Sequence, residues 1–144
     1  MYKVKILSRL FMQDFISKEK YLAIIINEPN NNNIVLREDV NRLDTLYIKT
    51  YDLDDIEISK KYNYQILTRE DAHNIIDFIT KYSNKCTNIA ISCDAGISRS
   101  AAVGGAILKI FTGNDKEIME SSKFVPNKLF YNIILEAAKE RGFL

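Results

Sequence analysis

Hydrophobic and polar positions follow two alternating patterns along this chain. Short runs that are apolar throughout, or that alternate between apolar and polar residues, have the length and composition of β-strands. Between them, apolar residues recur every three or four positions, as on the buried face of an amphipathic helix. Strands are therefore predicted at residues 3–8, 21–27, 44–53 and 88–93, and helices at residues 9–17, 67–84, 100–111, 113–122 and from Pro126 onward.

The order of these elements predicts an α/β fold, because strands and helices alternate along the sequence. We expect a central, mostly parallel sheet flanked by helices. The run YLAIIIN at residues 21–27 is apolar throughout, which is typical of a strand covered on both faces. No internal repeat or long linker divides the sequence, so residues 1–144 are predicted to form a single domain.

Charge and composition narrow the classes of function. A formal net charge of +1 at pH 7 provides no overall attraction for nucleic acids or acidic membranes, so neither is a predicted partner. No segment has the roughly 18 uninterrupted apolar residues of a membrane span, so we expect a cytoplasmic protein. Two cysteines and one histidine are too few for a disulfide framework or a structural zinc site, and we predict no metal and no cofactor.

One short motif, CDAGISRS at residues 93–100, carries candidate chemistry. With two cysteines and six arginines in the chain, an arginine falls six positions after a cysteine in roughly 8% of shuffled sequences. Requiring the glycine and the final serine as well lowers that chance to the order of 10⁻⁴. The motif also lies between a predicted strand and a predicted helix, which is the setting in which such a loop binds an anion.

The spacing of the motif suits a thiolate nucleophile in a phosphate-binding loop. Successive backbone N–H groups at a strand-to-helix turn point into one concavity, and the helix dipole adds positive potential there. The same field favours ionisation of the Cys93 thiol at the floor of the loop. Arg99 offers two parallel N–H donors to a phosphoryl group, Gly96 keeps the pocket free of a side chain, and Ser100 can donate to the cysteine sulfur. The loop amides belong to Asp94, Ala95, Gly96, Ile97, Ser98 and Arg99.

These residues resemble the signature of the cysteine-dependent protein tyrosine phosphatases, and most closely that of the small dual-specificity phosphatases of microbes and viruses. The resemblance is specific over residues 88–107 and looser over residues 45–84. It implies the dual-specificity type of protein tyrosine phosphatase fold, a phosphocysteine intermediate at Cys93, phosphate held by residues 94–99, and no metal. Ser92 stands where the family usually has histidine, and serine carries no charge that would help keep the thiol ionised.

A phosphatase of this kind also needs a carboxylic acid that protonates the leaving oxygen. The family takes it from a loop some thirty to forty residues before the cysteine, where this chain has the acidic segment YDLDDIEI. We predict Asp55 as the general acid, with Asp54 and then Asp52 as alternatives. Solvated surface carboxylates are the competing interpretation of this acidic cluster.

Three further residues have candidate roles. Asp94 would repel a bound phosphate, so its side chain is expected to point outward, where it could select basic or neutral substrate surroundings. Cys86 is expected to be a small buried side chain, and the alternative is a resolving thiol that forms a disulfide with oxidised Cys93. Asn127 follows Pro126 and is expected to cap the last helix, with the pocket rim as a further location.

The leading functional prediction is a phosphatase of phosphotyrosine in proteins, with phosphoserine and phosphothreonine as further candidate substrates. Its partner would be a phosphorylated protein or peptide. The same chemistry could serve RNA 5′ ends, inositides or another small phosphoester. A third hypothesis is a phosphate-binding module with weak catalysis, which Ser92 supports. No oligomeric state is predicted.

Overall fold

Four parallel strands form a single sheet in the structure, a computed structural model that describes residues 1–144. They are β1 (Lys3–Ser8), β2 (Tyr21–Asn27), β3 (Arg42–Lys49) and β4 (Asn88–Cys93), in the spatial order β1-β4-β2-β3. Because every neighbouring pair is parallel, the carboxyl ends of all four strands meet at the same edge. The predicted α/β fold with a mostly parallel sheet is confirmed.

Helices cover both faces of this sheet. They are α1 (Arg9–Gln13), α2 (Ile56–Tyr62), α3 (Arg69–Lys81), α4 (Arg99–Thr112), α5 (Lys116–Met119) and α6 (Lys128–Glu140). Side chains of α3, α4 and α6 pack with Leu22, Ile24 and Ile26 on one face, whereas Met12 of α1 packs near Ile25 on the other. No helix has both the length and the hydrophobicity needed to cross a bilayer.

The central strand β2 is buried along its whole length, as its apolar sequence predicts. Successive side chains point to opposite faces of a strand, so Ile24 contributes to one core and Ile25 to the other. Each of these isoleucines has no exposed surface, and full burial of such a side chain contributes about 1.5–3 kcal/mol to folding. The site-bearing strand β4 lies directly beside β2 and is supported by it.

Small residues let α4 approach the sheet closely. A Cβ atom at Gly104 would lie 2.7 Å from Cδ1 of Ile6 and 2.8 Å from Cγ1 of Val4, both on β1. Such distances are shorter than ordinary carbon contacts, so a larger residue here would require the Ile6 and Val4 side chains or the helix itself to shift. The position of α4 also fixes the position of Arg99, which is the first residue of this helix.

Several boundaries differ from the sequence prediction. The first helix ends at Gln13 instead of residue 17. Strand β3 ends at Lys49 instead of residue 53: the Thr50 N–H still donates to the Asn27 carbonyl of β2 at 2.9 Å, but the Tyr51 N–H donates to the Gln65 carbonyl at 2.7 Å, outside the sheet. Helix α2 was not predicted. Helix α3 begins with a capping box formed by Thr68 and Asp71.

The loop between β4 and α4 packs against the end of β1 through Gly96. Its φ of +70° lies in the left-handed region, and a Cβ atom there would lie 2.7 Å from the Leu7 carbonyl carbon and from the Ser8 nitrogen. From the sequence, Gly96 was expected to keep the pocket free of a side chain. The structure gives a different reason for this glycine, because the space that a side chain would fill is occupied by the backbone of β1.

Replacing Gly96 with alanine tests this packing. We expect Gly96→Ala to lower the free energy of unfolding by about 3 kcal/mol or more, because the left-handed conformation and the backbone overlap both oppose a methyl group. Gly113 is a matched control, since its φ is +79° and nothing lies within 4 Å of the added Cβ. Gly113→Ala should cost only about 1–2 kcal/mol. Equal losses in urea unfolding of the two variants would contradict the close approach at Gly96.

Asp39 joins the segment before β2 to the segment before β3. Its carboxylate accepts hydrogen bonds from the backbone N–H groups of Ser17 and Asn41, both at 2.9 Å. These bonds, from Asn41 first and Ser17 second, hold the pKa of the Asp39 carboxyl below its ordinary value of 3.8. A carboxyl whose pKa is lower in the folded state stabilises the fold while it is ionised.

The contribution of Asp39 should therefore depend on pH. It is fully present above the ordinary carboxyl pKa and is lost as the pH falls through the lower pKa of the folded state. We expect Asp39→Ala to lower the free energy of unfolding at pH 7, and the difference from the wild type to shrink below pH 4. The neighbouring exposed residue provides a control, Glu38→Ala, which should change little at either pH. A difference for Asp39→Ala that stays constant between pH 7 and pH 3 would rule out the hydrogen-bonded carboxylate.

Candidate active site

Cys93 ends β4 at the carboxyl edge of the sheet. It pairs in register with Ser8 of β1, and only 3% of its surface is exposed. Its Sγ atom lies 3.1 Å from Oγ of Ser100, in the first turn of α4. A hydroxyl at this distance can donate a hydrogen bond to a sulfur anion, so the strand and the helix place the two groups together as the motif suggests.

The backbone of the loop after Cys93 presents donors rather than acceptors. Three of its carbonyl oxygens accept hydrogen bonds from backbone N–H groups outside the loop, at 3.1–3.2 Å: Asp94 from Arg9, Ile97 from Val125, and Ser98 from Asn127. The N–H groups of residues 94–98 donate to no acceptor within the chain. The N-cap residue of α4 also makes no side-chain cap. A concave run of N–H groups at a helix start is an anion-binding arrangement.

Arg99 is held with one edge of its guanidinium group available. The residue is 4% exposed, and its Nη1 donates to the Thr50 carbonyl oxygen at 2.8 Å. Its Nε is buried and has no hydrogen-bond partner. Nε and Nη2 form the edge whose two N–H bonds run parallel, which is the geometry that binds two oxygens of a phosphoryl group. Thr50 was not predicted as a site residue, because its contribution is a backbone carbonyl.

Asp94 does not point outward as expected. Its Oδ2 lies 3.4 Å from Nη2 of Arg99, and its Oδ1 is buried without a hydrogen-bond partner. The physical reason is that a buried guanidinium group attracts the nearest carboxylate, which lies in the same loop. About a third of the Asp94 side chain, 36%, remains exposed. The outward orientation inferred from repulsion with phosphate is therefore wrong in this structure.

Asp52 is the acidic residue that contacts the loop. Its Oδ1 accepts hydrogen bonds from Oγ of Ser98 and from Nδ2 of Asn127, both at 2.9 Å. Both hydrogen bonds go to Oδ1, so the second carboxyl oxygen, Oδ2, accepts neither of them. The residue is exposed, which leaves its carboxyl group accessible from solvent beside the loop.

Asp55 has a structural position. It is the N-cap of α2, and its Oδ1 accepts from the N–H groups of Glu57 at 2.9 Å and Ile58 at 3.1 Å. Asp54 lies on a small cavity together with Asp52 but makes no side-chain contact with the loop. Asp55 was preferred from the sequence as the general acid, but the structure brings Asp52 and not Asp55 into contact with the loop.

Asn127 joins three parts of the site. Its Oδ1 accepts from the N–H of Phe130 at 3.1 Å, so it caps α6 as predicted. Its Nδ2 donates to Asp52 and also to the Leu53 carbonyl at 3.0 Å. This second set of contacts fixes the segment that carries Asp52. The Pro126–Asn127 pair was the sequence signal for the cap, but nothing in the sequence indicated the partner.

Cys86 lies at the opposite end of β4 from Cys93. Its thiol donates to the carbonyl oxygens of Lys20 at 3.1 Å and Asn88 at 3.3 Å. A six-residue strand separates the two cysteines, and at about 3.3 Å per residue this exceeds the ~7 Å limit between Cα atoms of a disulfide. The alternative role of Cys86 as a resolving thiol is wrong, and the small buried side chain is the better description.

The cavity beside the loop is small. It measures ≈ 180 Å³ and is lined by Asp52, Asp54, Ser98, Val125, Pro126 and Asn127. Small-molecule pockets usually measure about 300–1,000 Å³, so this one is small, and neither Cys93 nor Arg99 lines it. A larger groove of ≈ 670 Å³ lies between α2, α3 and α6, but no residue of the loop lines it. The larger of these two cavities therefore lies away from Cys93 and Arg99.

Comparisons with known proteins give similarity in structure but not in sequence. No protein-family model and no curated protein matches the sequence. The crystal structure of PTPMT1 in complex with PI(5)P matches with a TM-score of 0.57 and 17% identity, over 85% of this chain and 81% of that one. Human DUSP28 matches with a TM-score of 0.58 and 12% identity, over 96% and 93% of the two chains.

A third match is a mouse putative dual specificity phosphatase complexed with zinc tungstate. Its TM-score is 0.57 and its identity 14%, over 85% of this chain and 75% of that one. At such low identities the matches establish the fold, and they agree with the resemblance that the loop motif indicates. This chain has the fold of the small dual-specificity phosphatases, within the cysteine-based protein tyrosine phosphatases.

Proposed function

We propose that this protein is a cysteine-dependent phosphatase that hydrolyses phosphotyrosine, and also phosphoserine or phosphothreonine, in proteins or peptides. The observation that carries the proposal is the geometry of one strand–loop–helix unit. It combines a buried thiol, a run of unpaired N–H donors and a buried guanidinium group with an available edge. The fold of the phosphatase neighbours supports the same class of reaction.

In the first step, the Cys93 thiolate attacks phosphorus in line with the leaving oxygen. A P–S bond forms, the P–O bond breaks, and the leaving oxygen takes a proton from the Asp52 carboxylic acid. The loop amides and the Nε and Nη2 donors of Arg99 stabilise the negative charge on the three equatorial oxygens. The products are a dephosphorylated hydroxyl group and a phosphocysteine.

In the second step, water replaces the sulfur. The Asp52 carboxylate accepts a proton from water, the new P–O bond forms and the P–S bond breaks. Sulfur leaves with the electron pair as a thiolate, and the Ser100 hydroxyl at 3.1 Å donates a hydrogen bond to it. Inorganic phosphate is released, and neither step requires a metal or a cofactor.

We assign the general acid to Asp52 because of its contacts with the loop. Ser98 donates to one carboxyl oxygen, and the other oxygen is outside that bond. The two N–H groups that donate to Asp55 belong to its own helix, α2, so Asp55 caps that helix and is not hydrogen-bonded to the loop. Of the three aspartates, Asp52 is the one whose carboxylate accepts a hydrogen bond from the loop, and we assign the proton transfer to it for that reason.

The length of the chain supports the broader substrate range. Its 144 residues include no obvious insertion that would build deep walls around the loop, and a shallow site would let the short side chains of phosphoserine and phosphothreonine reach the sulfur as well as phosphotyrosine. A small phosphoester, an inositide or an RNA 5′ end would use the same chemistry. PI(5)P is the ligand bound to PTPMT1 in one neighbour. Ser92 lies beside the cysteine, is uncharged and is 1% exposed. It favours a second candidate function, a module that binds phosphate with weak turnover.

Hydrolysis by the wild type and by Cys93→Ser separates these functions. The substrates are phosphotyrosine and phosphothreonine peptides, a phosphoinositide, a 5′-phosphorylated RNA and an aryl phosphate, with a chelator present. We expect hydrolysis of both peptides by the wild type, and a loss of more than about 10³-fold in kcat for Cys93→Ser, which lacks the nucleophile. Binding of phosphopeptide by both proteins with no hydrolysis by the wild type would favour the binding module.

Paired amide substitutions test the general acid. We expect Asp52→Asn to lower kcat/KM by about 10²–10⁴-fold with phenyl phosphate, and by much less with 2,4-dinitrophenyl phosphate, whose leaving group needs no proton. The measurement is kcat/KM because it ends with cleavage of the P–O bond, before the water step in which Asp52 also acts. Asp55→Asn is the matched control, because asparagine also caps helices and should leave kcat/KM within about threefold. A leaving-group-dependent loss in Asp55→Asn instead would transfer the role to Asp55.

A further inference from the structure

We infer that Asp94 is a specificity-determining residue of this site. Its carboxylate pairs with the phosphate-binding edge of Arg99 when no substrate is bound, and it favours substrates that carry a basic group beside the phosphoryl group. The inference rests on the proposed function, because it concerns what the phosphate-binding loop accepts. It follows from the pairing within the loop, from one buried atom of each side chain that has no hydrogen-bond partner, and from the absence of another cation near the carboxylate.

The Asp94–Arg99 pair is incomplete at both ends. A well-formed arginine–carboxylate pair has two parallel hydrogen bonds of about 2.7–2.9 Å. Here a single contact joins Oδ2 and Nη2 at 3.4 Å, while Nε of Arg99 and Oδ1 of Asp94 are buried without a partner. A phosphoryl group has three oxygens and can engage Nε and Nη2 together. The carboxylate is therefore a weak internal competitor that a phosphoryl group can displace.

Displacement moves the side chain of Asp94 but not its backbone. Its carbonyl oxygen accepts the N–H of Arg9 at 3.2 Å, and this bond fixes the main chain against the start of α1. The carboxylate can turn only about its side-chain bonds, toward the third of its surface that is already exposed. It then stays close to the bound phosphoryl dianion, and like charges at short distance weaken binding.

The chain supplies no second cation for the displaced carboxylate. Arg99 is the only basic side chain within 4 Å of Asp94. Arg9 is the basic residue whose backbone N–H donates to the Asp94 carbonyl. Its guanidinium group already donates to Oδ1 of Asn27 at 2.8 Å and to the Asn32 carbonyl at 3.0 Å. A substrate with an arginine or lysine beside the phosphorylated residue would supply that cation. Inorganic phosphate and acidic phosphopeptides would not.

Phosphate protection of Cys93 from iodoacetamide measures the competition directly. The alkylation rate of each variant is followed against inorganic phosphate at fixed pH and ionic strength, which gives a protection constant independent of thiol reactivity. We expect Asp94→Asn to bind phosphate about tenfold more tightly than the wild type, because it keeps the shape but removes the charge. Asp94→Ala should behave in the same way and covers a failure of the first variant to fold.

Asp54→Asn is the matched control for charge. It removes a carboxylate near the site that makes no contact with Arg99, so its phosphate affinity should change by less than about twofold. Equal tightening in Asp94→Asn and Asp54→Asn would overturn the inference, because a general field would then explain both. Equal protection in the wild type and both Asp94 variants would overturn it too, while leaving the phosphate site intact. Absence of protection in every protein would overturn the proposed function together with the inference.

Peptide selectivity provides the second readout. Two phosphotyrosine peptides that differ only in arginine or glutamate on both sides of the phosphorylated residue are compared by kcat/KM. We expect the wild type to prefer the arginine peptide by about fivefold or more, and Asp94→Asn to reduce this preference to about twofold or less. Asp54→Asn should retain most of the preference. An unchanged preference in Asp94→Asn would show that another group selects the substrate.

Discussion

The outward anchoring of three loop carbonyls is the constraint on which the site depends. Asp94, Ile97 and Ser98 give their carbonyl oxygens to N–H groups of the surrounding chain, and the N–H groups of residues 94–98 have no acceptor within the chain. Gly96 makes this possible, because its backbone lies against the end of β1 with no room for a Cβ. The run of unpaired N–H donors is thus a consequence of how the loop is held from outside.

Hydrogen bonds from the same loop assemble chemistry that lies far apart in the sequence. Arg99 reaches the Thr50 carbonyl, and Ser98 reaches the Asp52 carboxylate two residues later. Asn127 holds Asp52 from the opposite side and caps α6 with the same side chain. Asp52, the loop after Cys93 and helix α6 are therefore joined by one set of hydrogen bonds. A change in any of the three alters the position of the others.

Local patterns could be predicted from the sequence, and long-range contacts could not. The strand, loop and helix around Cys93 follow one another directly, so periodicity and motif spacing were sufficient. Helix α2 was missed because Ile56 and Ile58 are exposed and no apolar stripe marks it. The sequence could not separate Asp52, Asp54 and Asp55, because the three aspartates lie within four positions. The contacts with Ser98 and Asn127, 46 and 75 positions away, distinguish Asp52.

The orientation of Asp94 has a comparable cause and a functional consequence. From the sequence, repulsion with phosphate argued for an outward side chain, but the buried charge of Arg99 decides the arrangement when no anion is bound. The loop then contains one positive and one negative side chain, so its attraction for a free anion comes mainly from the amides. In the proposed phosphatase reaction the product, inorganic phosphate, brings no cation of its own, whereas a peptide substrate can. The proposed preference for basic surroundings therefore depends on the pairing of Asp94 with Arg99.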